Sequence, residues 1–437
     1  MMLSRRSFIT LAGASTAGTI LASSLQAAYG KRRRFGKGYG SLQADPSGLL
    51  DLPPGFQYRA FSRTGDPMSD GNLVPGDHDG MAAFRGSRGS TILVRNHELS
   101  PNEIGKPGVV AEKTQQYDAL CRGGTTTLII GRDRTLIKDY VSLAGTLRNC
   151  AGGATPWGSW ISCEEDTSTP ATNKPDDLNN VSKMHGYNFE VPARGGIVQP
   201  VPLVEMGRFN HEAIAVDPKT GIVYQTEDRG DGLFYRFIPK QPGKLSAGGV
   251  LEALKIQNMP QAITKTNFPV GKPMAVEWVR IDDVNPVEDT VRVEGFTKGA
   301  AQFSRGEGIA YGKREFYFCA TDGGEAQLGQ IWRYTPGKNL ADGGTIELFV
   351  EPNTQTQLDG PDNIIVSPHR DLFICEDGDG EQFIVGITPK GELYNFARNA
   401  LNDSEFAGVC FAPDGDTMFV NIQNPGITFA IWGPWKS

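Results

Sequence analysis

The chain has 437 residues and a formal net charge of −7, from 43 Lys+Arg against 50 Asp+Glu, which excludes a basic nucleic-acid binder. Hydrophobic residues make up 39% and charged residues 21%, enough for a large core and too little net charge for disorder. With Gly 54 and Pro 28 the chain is rich in turns, so many short strands are expected and long helices are not.

The N-terminus reads as an address. Ser4-Arg5-Arg6-Ser7-Phe8-Ile9 precedes an Ala/Gly-rich apolar stretch from Leu11 to Leu25 and then Ala27-Ala28, the layout of an export signal. The paired arginines before Phe8 resemble the twin-arginine type. The apolar centre falls short of the ~20 strongly apolar residues a span needs, so no stable membrane anchor is expected. Residues 1–28 are expected to engage the twin-arginine export machinery, leaving a periplasmic or secreted monomer. Residues 29–44, with Lys31-Arg32-Arg33-Arg34, form a basic flexible leader, and 45–437 a single domain. That export route carries proteins already folded, often around a cofactor, which favours a metal site.

Along the rest of the chain one phrase recurs: an apolar strand, a turn, and a second apolar strand ending in acids or amides. It runs from Met81 to Glu98, from Thr155 to Glu165 and from Ala213 to Asp228. Further copies end at Cys319-Ala320-Thr321-Asp322, Ile374-Cys375-Glu376-Asp377 and Val420-Asn421-Ile422-Gln423-Asn424. Six copies over the mature chain predict an all-β fold, a six-bladed β-propeller with long inter-strand loops. Equivalent strands share a direction around the channel, so their acidic ends gather at one mouth. Crowded carboxylates need hard cations with oxygen ligands, calcium first.

Three phrases add chemistry. Arg95-Asn96-His97-Glu98 and Arg208-Phe209-Asn210-His211-Glu212 set an imidazole beside a carboxylate, to orient it or to bind metal. Ser304-Arg305-Gly306-Glu307-Gly308 sets a bidentate donor two residues from a carboxylate, a pairing suited to an anion held over a metal. The cysteines fall at 121, 150, 163, 319, 375 and 410 without Cys-x-x-Cys spacing. Cys319, Cys375 and Cys410 lie in apolar runs and read as small buried hydrophobes. Cys150, in Asn149-Cys150-Ala151-Gly152-Gly153, has a Gly-flanked context that exposes backbone and thiol. A serine hydrolase elbow and a Walker-type loop are both absent.

These residues resemble a known family. Leu52-Pro53-Pro54-Gly55-Phe56, His78-Asp79-Gly80-Met81-Ala82, Asn149-Cys150-Ala151-Gly152-Gly153, Thr155-Pro156-Trp157-Gly158, Cys163-Glu164-Glu165 and Gly207-Arg208-Phe209-Asn210-His211-Glu212 open the match. Asp359-Gly360-Pro361-Asp362-Asn363, Glu405-Phe406-Ala407-Gly408 and Phe419-Val420-Asn421-Ile422-Gln423 complete it. From Leu52 to Gly426 the chain resembles the exported alkaline phosphatases of the PhoX type. The resemblance implies a propeller that hydrolyses small-molecule phosphate esters with a mixed cluster of Fe3+ and Ca2+. It implies Cys150, Glu212 and Glu307 as iron-side ligands and Arg305 as the phosphate contact. Glu98, Glu164, Glu165, Asp228, Asp362 and Asp377 are then candidates for the remaining iron and calcium positions. The chain departs from the family pattern at Gly306, where proline is expected, and at Gly308, where an aromatic is expected. Two other classes fit the acidic ring alone: a calcium-dependent propeller hydrolase of a phosphodiester, phosphotriester or lactone, and a non-catalytic binding propeller stabilised by calcium.

Overall fold

The computed structural model describes residues 36–174 and 180–436; the expected export signal lies outside them. Among the described residues α-helix is confined to Val291–Thr297, as the turn-rich composition requires. The fold is all-β and propeller-like. Strands run as antiparallel meanders, each strand pairing with its successor in sequence.

Six strands begin these meanders: His78–Arg85, Asn149–Ala154, His211–Val216, Gly306–Tyr311, Pro361–Val366 and Phe406–Phe411. Each packs against the next in this order, and Phe406–Phe411 packs back on His78–Arg85. The result is a closed ring around a channel. A cavity of about 360 Å³ in that channel is lined by Met81, Gly152, Ile214, Ile309, Ile364 and Val409, one from each strand.

Hydrogen bonding joins the meanders into five sheets, where six separate ones were expected. The reason is local: Met274–Arg280 extends the third meander, and its first two residues pair with Ile346 and Thr345 of the fourth, fusing two units into one nine-stranded sheet. Near the N-terminus, Gln57–Phe61 pairs antiparallel with Ile427–Trp432, from Gln57 opposite Trp432 to Phe61 opposite Thr428. The last meander is therefore completed by the beginning of the chain. Residues 36–44, expected within the flexible leader, are docked: Gly36 donates to the Leu393 carbonyl at 2.9 Å, and Tyr39 meets Phe56 and Phe396 edge-on at 5.2 and 5.6 Å.

The apolar cores lie between neighbouring meanders, so each sheet buries both faces. Phe234 of the third unit stacks on Phe318 of the fourth at 4.5 Å, and Phe373 of the fifth meets Phe411 of the sixth at 5.8 Å. This is why Phe316-Tyr317-Phe318-Cys319-Ala320 is buried throughout and reads as an unbroken apolar run. All six cysteines are free and buried; Cys319, Cys375 and Cys410 are core residues, as their sequence surroundings predict.

Candidate metal centre at the channel mouth

Every ring-lining strand breaks register at the same place. The breaks fall between His78 and Met81, Asn149 and Gly152, His211 and Ile214, Gly306 and Ile309, Pro361 and Ile364, and Ala407 and Cys410. A bulge of this kind inserts an extra residue and re-aims a side chain. The re-aimed residues are Asp79, Cys150, Glu212, Glu307 and Asp362; the sixth strand has Ala407 and Gly408 there and offers no ligand. Except for Asn363, the residues that follow them are small, Gly80, Ala151, Ala213 and Gly308, because adjacent bulges meet backbone to backbone. A Cβ on Gly80 would lie 2.5 Å from Ala151 Cα, and one on Gly308 2.6 Å from the Asp362 carbonyl oxygen.

The second strand of five of the six meanders returns to the same mouth and delivers an acid or amide as its next residue; the fourth, Phe316–Ala320, delivers Thr321. The five are Glu98 after Thr91–His97, Glu165 after Ser159–Glu164, Asp228 after Val223–Glu227, Asp377 after Leu372–Glu376 and Gln423 after Met418–Ile422. Ligand atoms of Asp79, Glu98 and Cys150 lie within 4.8 Å of one another; so do those of Cys150, Glu165 and Glu212, and those of Glu212, Glu307 and Asp362. Shared members link the three groups into one cluster.

The electrostatics are severe. Burial, followed by repulsion from Glu307, Asp362, Glu165 and Asp79, pushes the Glu212 carboxyl well above the usual range. Asp79 and Glu307 are pushed up in the same way. Burial and the Asp377 charge raise Asp362 to about 8, and burial and Glu165 raise Asp228 to about 6. Burial, then Asp79 and Glu212, raises the Cys150 thiol. Both carboxylate oxygens of Glu212 are buried with no hydrogen-bond partner. A buried acceptor pair aimed into a cluster of acids costs several kcal/mol unless cations meet it, so the donor set fits metal, with one soft ligand among hard ones.

Two arginines edge the cluster, each on left-handed backbone one residue before a ring-lining strand, Arg148 at φ 45° and Arg305 at φ 51°. Arg305 grips Asp228 through Nε and Nη2 at 2.9 and 2.8 Å and donates to Glu307 at 2.9 Å. Its side chain is 34% exposed. Arg148 pairs with Glu98 and Glu165. Glycine at 306 and 308 thus leaves Arg305 directed at its predicted carboxylate.

Of the sequence-predicted residues, Cys150, Glu212, Glu307, Glu98, Glu165, Asp228 and Asp362 come together with Arg305. Asp377 stands beside Asp362 and Glu405 and raises both. Glu164 is used otherwise: it accepts from Leu147 N at 2.9 Å and Gly186 N at 3.0 Å and pairs with His185 Nδ1 at 2.7 Å. His185 in turn reaches Asp118 at 3.4 Å and Cys121 at 3.5 Å, while backbone amides of Leu120, Ser182 and Lys183 occupy the Asp118 oxygens. That group braces loops. The two Asn-His-Glu imidazoles are also structural. His97 bonds Gly76 O at 2.7 Å and Thr126 Oγ1 at 2.9 Å, and His211 donates to Gly207 O at 2.9 Å.

Sequence reasoning missed Asp79, Arg148, Glu405 and Gln423. A usable signal was present: Asp79-Gly80, Cys150-Ala151, Glu212-Ala213 and Glu307-Gly308 all set a ligand before a small residue at the start of an apolar strand. Arg148 precedes Cys150 by two residues as Arg305 precedes Glu307.

A ring of strands that concentrates buried acids, a thiol and two guanidiniums at one mouth forms a candidate metal centre, of the kind metal-dependent hydrolases use, on a propeller-like scaffold. The model of the alkaline phosphatase PhoX family matches residues 37–426, so the chain belongs to that family and is a phosphatase, hydrolysing phosphate esters. Among solved structures it is similar to Pseudomonas fluorescens PhoX in complex with vanadate, a transition state analogue. That likeness has a TM-score of 0.68 at 17% identity, over 88% of this chain and 96% of that one. Looser likenesses include virginiamycin B lyase from Staphylococcus aureus (TM-score 0.42, 14% identity, 86% of this chain and 99% of that one). Another is a gluconolactonase from Xanthomonas campestris (TM-score 0.40, 10% identity, 88% and 98%). Curated protein sequences include no match.

Proposed function

We propose that this phosphatase hydrolyses small-molecule phosphomonoesters with a mixed iron–calcium cluster at the mouth of a six-bladed propeller. Six ring-lining strands with six matched bulges support the blade number. The observation that carries the cluster is Glu212, a buried carboxylate with two unpartnered oxygens among Cys150, Glu165, Glu307 and Asp362. Cys150, Glu212 and Glu307 would hold iron. Asp79, Glu98, Glu165, Asp228, Asp362, Asp377 and Glu405 would hold the other cations. When bound, such cations act as Lewis acids on phosphoryl oxygens and lower the pKa of water.

The protein's own work is positioning and charge. Arg305 is preorganised by Asp228 and Glu307 and presents a partly exposed guanidinium to the equatorial charge of an in-line transfer. Its two-pronged grip on Asp228 fixes the plane of the fork before substrate arrives. Arg148, fixed by Glu98 and Glu165, supplies a second donor at the same mouth. No side-chain nucleophile is required. From the layout of Ser4 to Ala28, we infer export by the twin-arginine machinery to the periplasm or beyond, and action there as a monomer.

Elemental analysis and visible absorption of natively exported protein test the cluster, with phosphomonoester turnover measured in parallel. Iron and calcium together, with a thiolate absorption band, are expected. Calcium without iron would replace this reading by a calcium-dependent hydrolase.

A further inference from the structure

A bulge leaves carbonyl groups outside the ladder, and buried carbonyls need donors. Asn96, fully buried on the second strand of the first meander, reaches across to the bulge of the second. Its Nδ2 donates to Cys150 O at 3.0 Å and Ala151 O at 2.7 Å. Its Oδ1 accepts from Trp160 Nε1 at 2.8 Å and Ser162 Oγ at 2.9 Å. Every polar atom of this amide is thereby used, and the amide cannot turn without losing four bonds.

The same device recurs one unit away. Asn421, also fully buried, stands two residues before Gln423 as Asn96 stands two residues before Glu98. It belongs to the sixth meander, and its Nδ2 donates at 2.7 Å to the carbonyl of Asp79, in the bulge of the first. Thr428 Oγ1 donates to its Oδ1 at 2.7 Å, and Arg95 donates to that hydroxyl at 2.6 Å. The equivalent positions in the other meanders are Cys163, Thr226, Cys319 and Cys375. The amide clasp is confined to the two bulges that present Cys150 and Asp79, members of one ligand triplet with Glu98.

We propose that Asn96 and Asn421 are positioning residues that lock Cys150 and Asp79 at ligand spacing. Each stands on one meander and holds the bulge of the next. The proposal rests on the metal reading above. Removal of the amide leaves the bulge carbonyls unpaired and free to rotate, which carries the ligand away from its partners. Outer-sphere groups of this kind are worth about 10- to 100-fold in metal affinity.

Metal-stripped protein titrated with Co2+ alone provides the test, because a cobalt thiolate has its own near-ultraviolet band. The parent is expected to show that band. Asn96→Ala should weaken Co2+ binding about 10- to 100-fold and shift or abolish the band. Asn421→Ala should weaken binding similarly and leave the band in place, since Asp79 carries no sulfur. Asn96→Ser keeps one donor and should fall between; it also serves if the alanine variant does not fold. Folded variants with lowered melting temperature but parental Co2+ affinity and spectrum would overturn the clasp, leaving a purely structural role. A parent without any thiolate band would instead overturn Cys150 as a ligand, and the proposal with it.

Discussion

Stripping the metal should make stability fall as pH rises. The Asp362 carboxyl is raised from 3.8 to about 8 by burial and by Asp377. A group whose folded-state pKa lies above its unfolded value contributes stability below the unfolded pKa and loses it as pH rises through the folded one. Between about pH 4 and 8 the stripped protein therefore loses stability. At about 1.4 kcal/mol per unit, Asp362 alone accounts for about 6 kcal/mol by pH 8. Glu212, Glu307 and Asp79 are pushed the same way, and total stabilities are only about 5–15 kcal/mol. The stripped protein should thus approach the limit of folding in mild alkali. Bound cations neutralise the same carboxylates and stabilise by mass action, so the loaded protein should hold its melting temperature. Thermal scans with and without chelator, from about pH 5 to about pH 8.5, should diverge by on the order of 10 °C or more at the alkaline end. Parallel curves would refute the shared cage.

Arg305→Ala should lower kcat by about 100- to 1000-fold, on the order of 2.7–4 kcal/mol, with metal content unchanged; Arg305→Lys should rescue weakly because an ammonium cannot fork. Steady-state assays on a phosphomonoester with parallel elemental analysis check both. Cys150→Ala should lose visible thiolate absorption and retain calcium, read by absorption and elemental analysis. Gly308→Ala should cost about 1–3 kcal/mol, measured by thermal unfolding, because its Cβ would press the Asp362 carbonyl from 2.6 Å.

The repeat of strand, turn and acid-ended strand was legible because both faces of each sheet are buried and a residue at a strand end recurs in phase. It led to Glu98, Glu165, Asp228 and Asp377, which the second strands carry. The inner circle of bulge residues was harder to read, since a bulge has no propensity signature beyond the small residue after it. Glu212 and Glu307 were singled out by the His-Glu and Arg-Gly-Glu phrases and Cys150 by its glycines, but their place as iron-side ligands, and Asp362 altogether, came through family likeness, in which Asp79 was quoted without a role. Glu164 was misplaced by one residue: strand side chains alternate sides, so Glu165 enters the cluster while Glu164 turns to His185 and the amides of residues 147 and 186. Fusion of two meanders by Met274 and Ala275 depends on an edge contact that no local pattern encodes.

The pairing of Gln57–Phe61 with Ile427–Trp432 sets a clock on cofactor acquisition. A nascent chain emerges with Asp79, Cys150 and Glu212 long before Phe406–Phe411 and its companions exist to close the ring. Until Phe406–Phe411 is synthesised the ring stays open, and an early cation would find at most part of the cluster. Loading of the full cluster would therefore follow synthesis of that strand, and a nonsense codon just before Phe406 yields a chain that keeps most of its ligands yet lacks the strand that closes the ring.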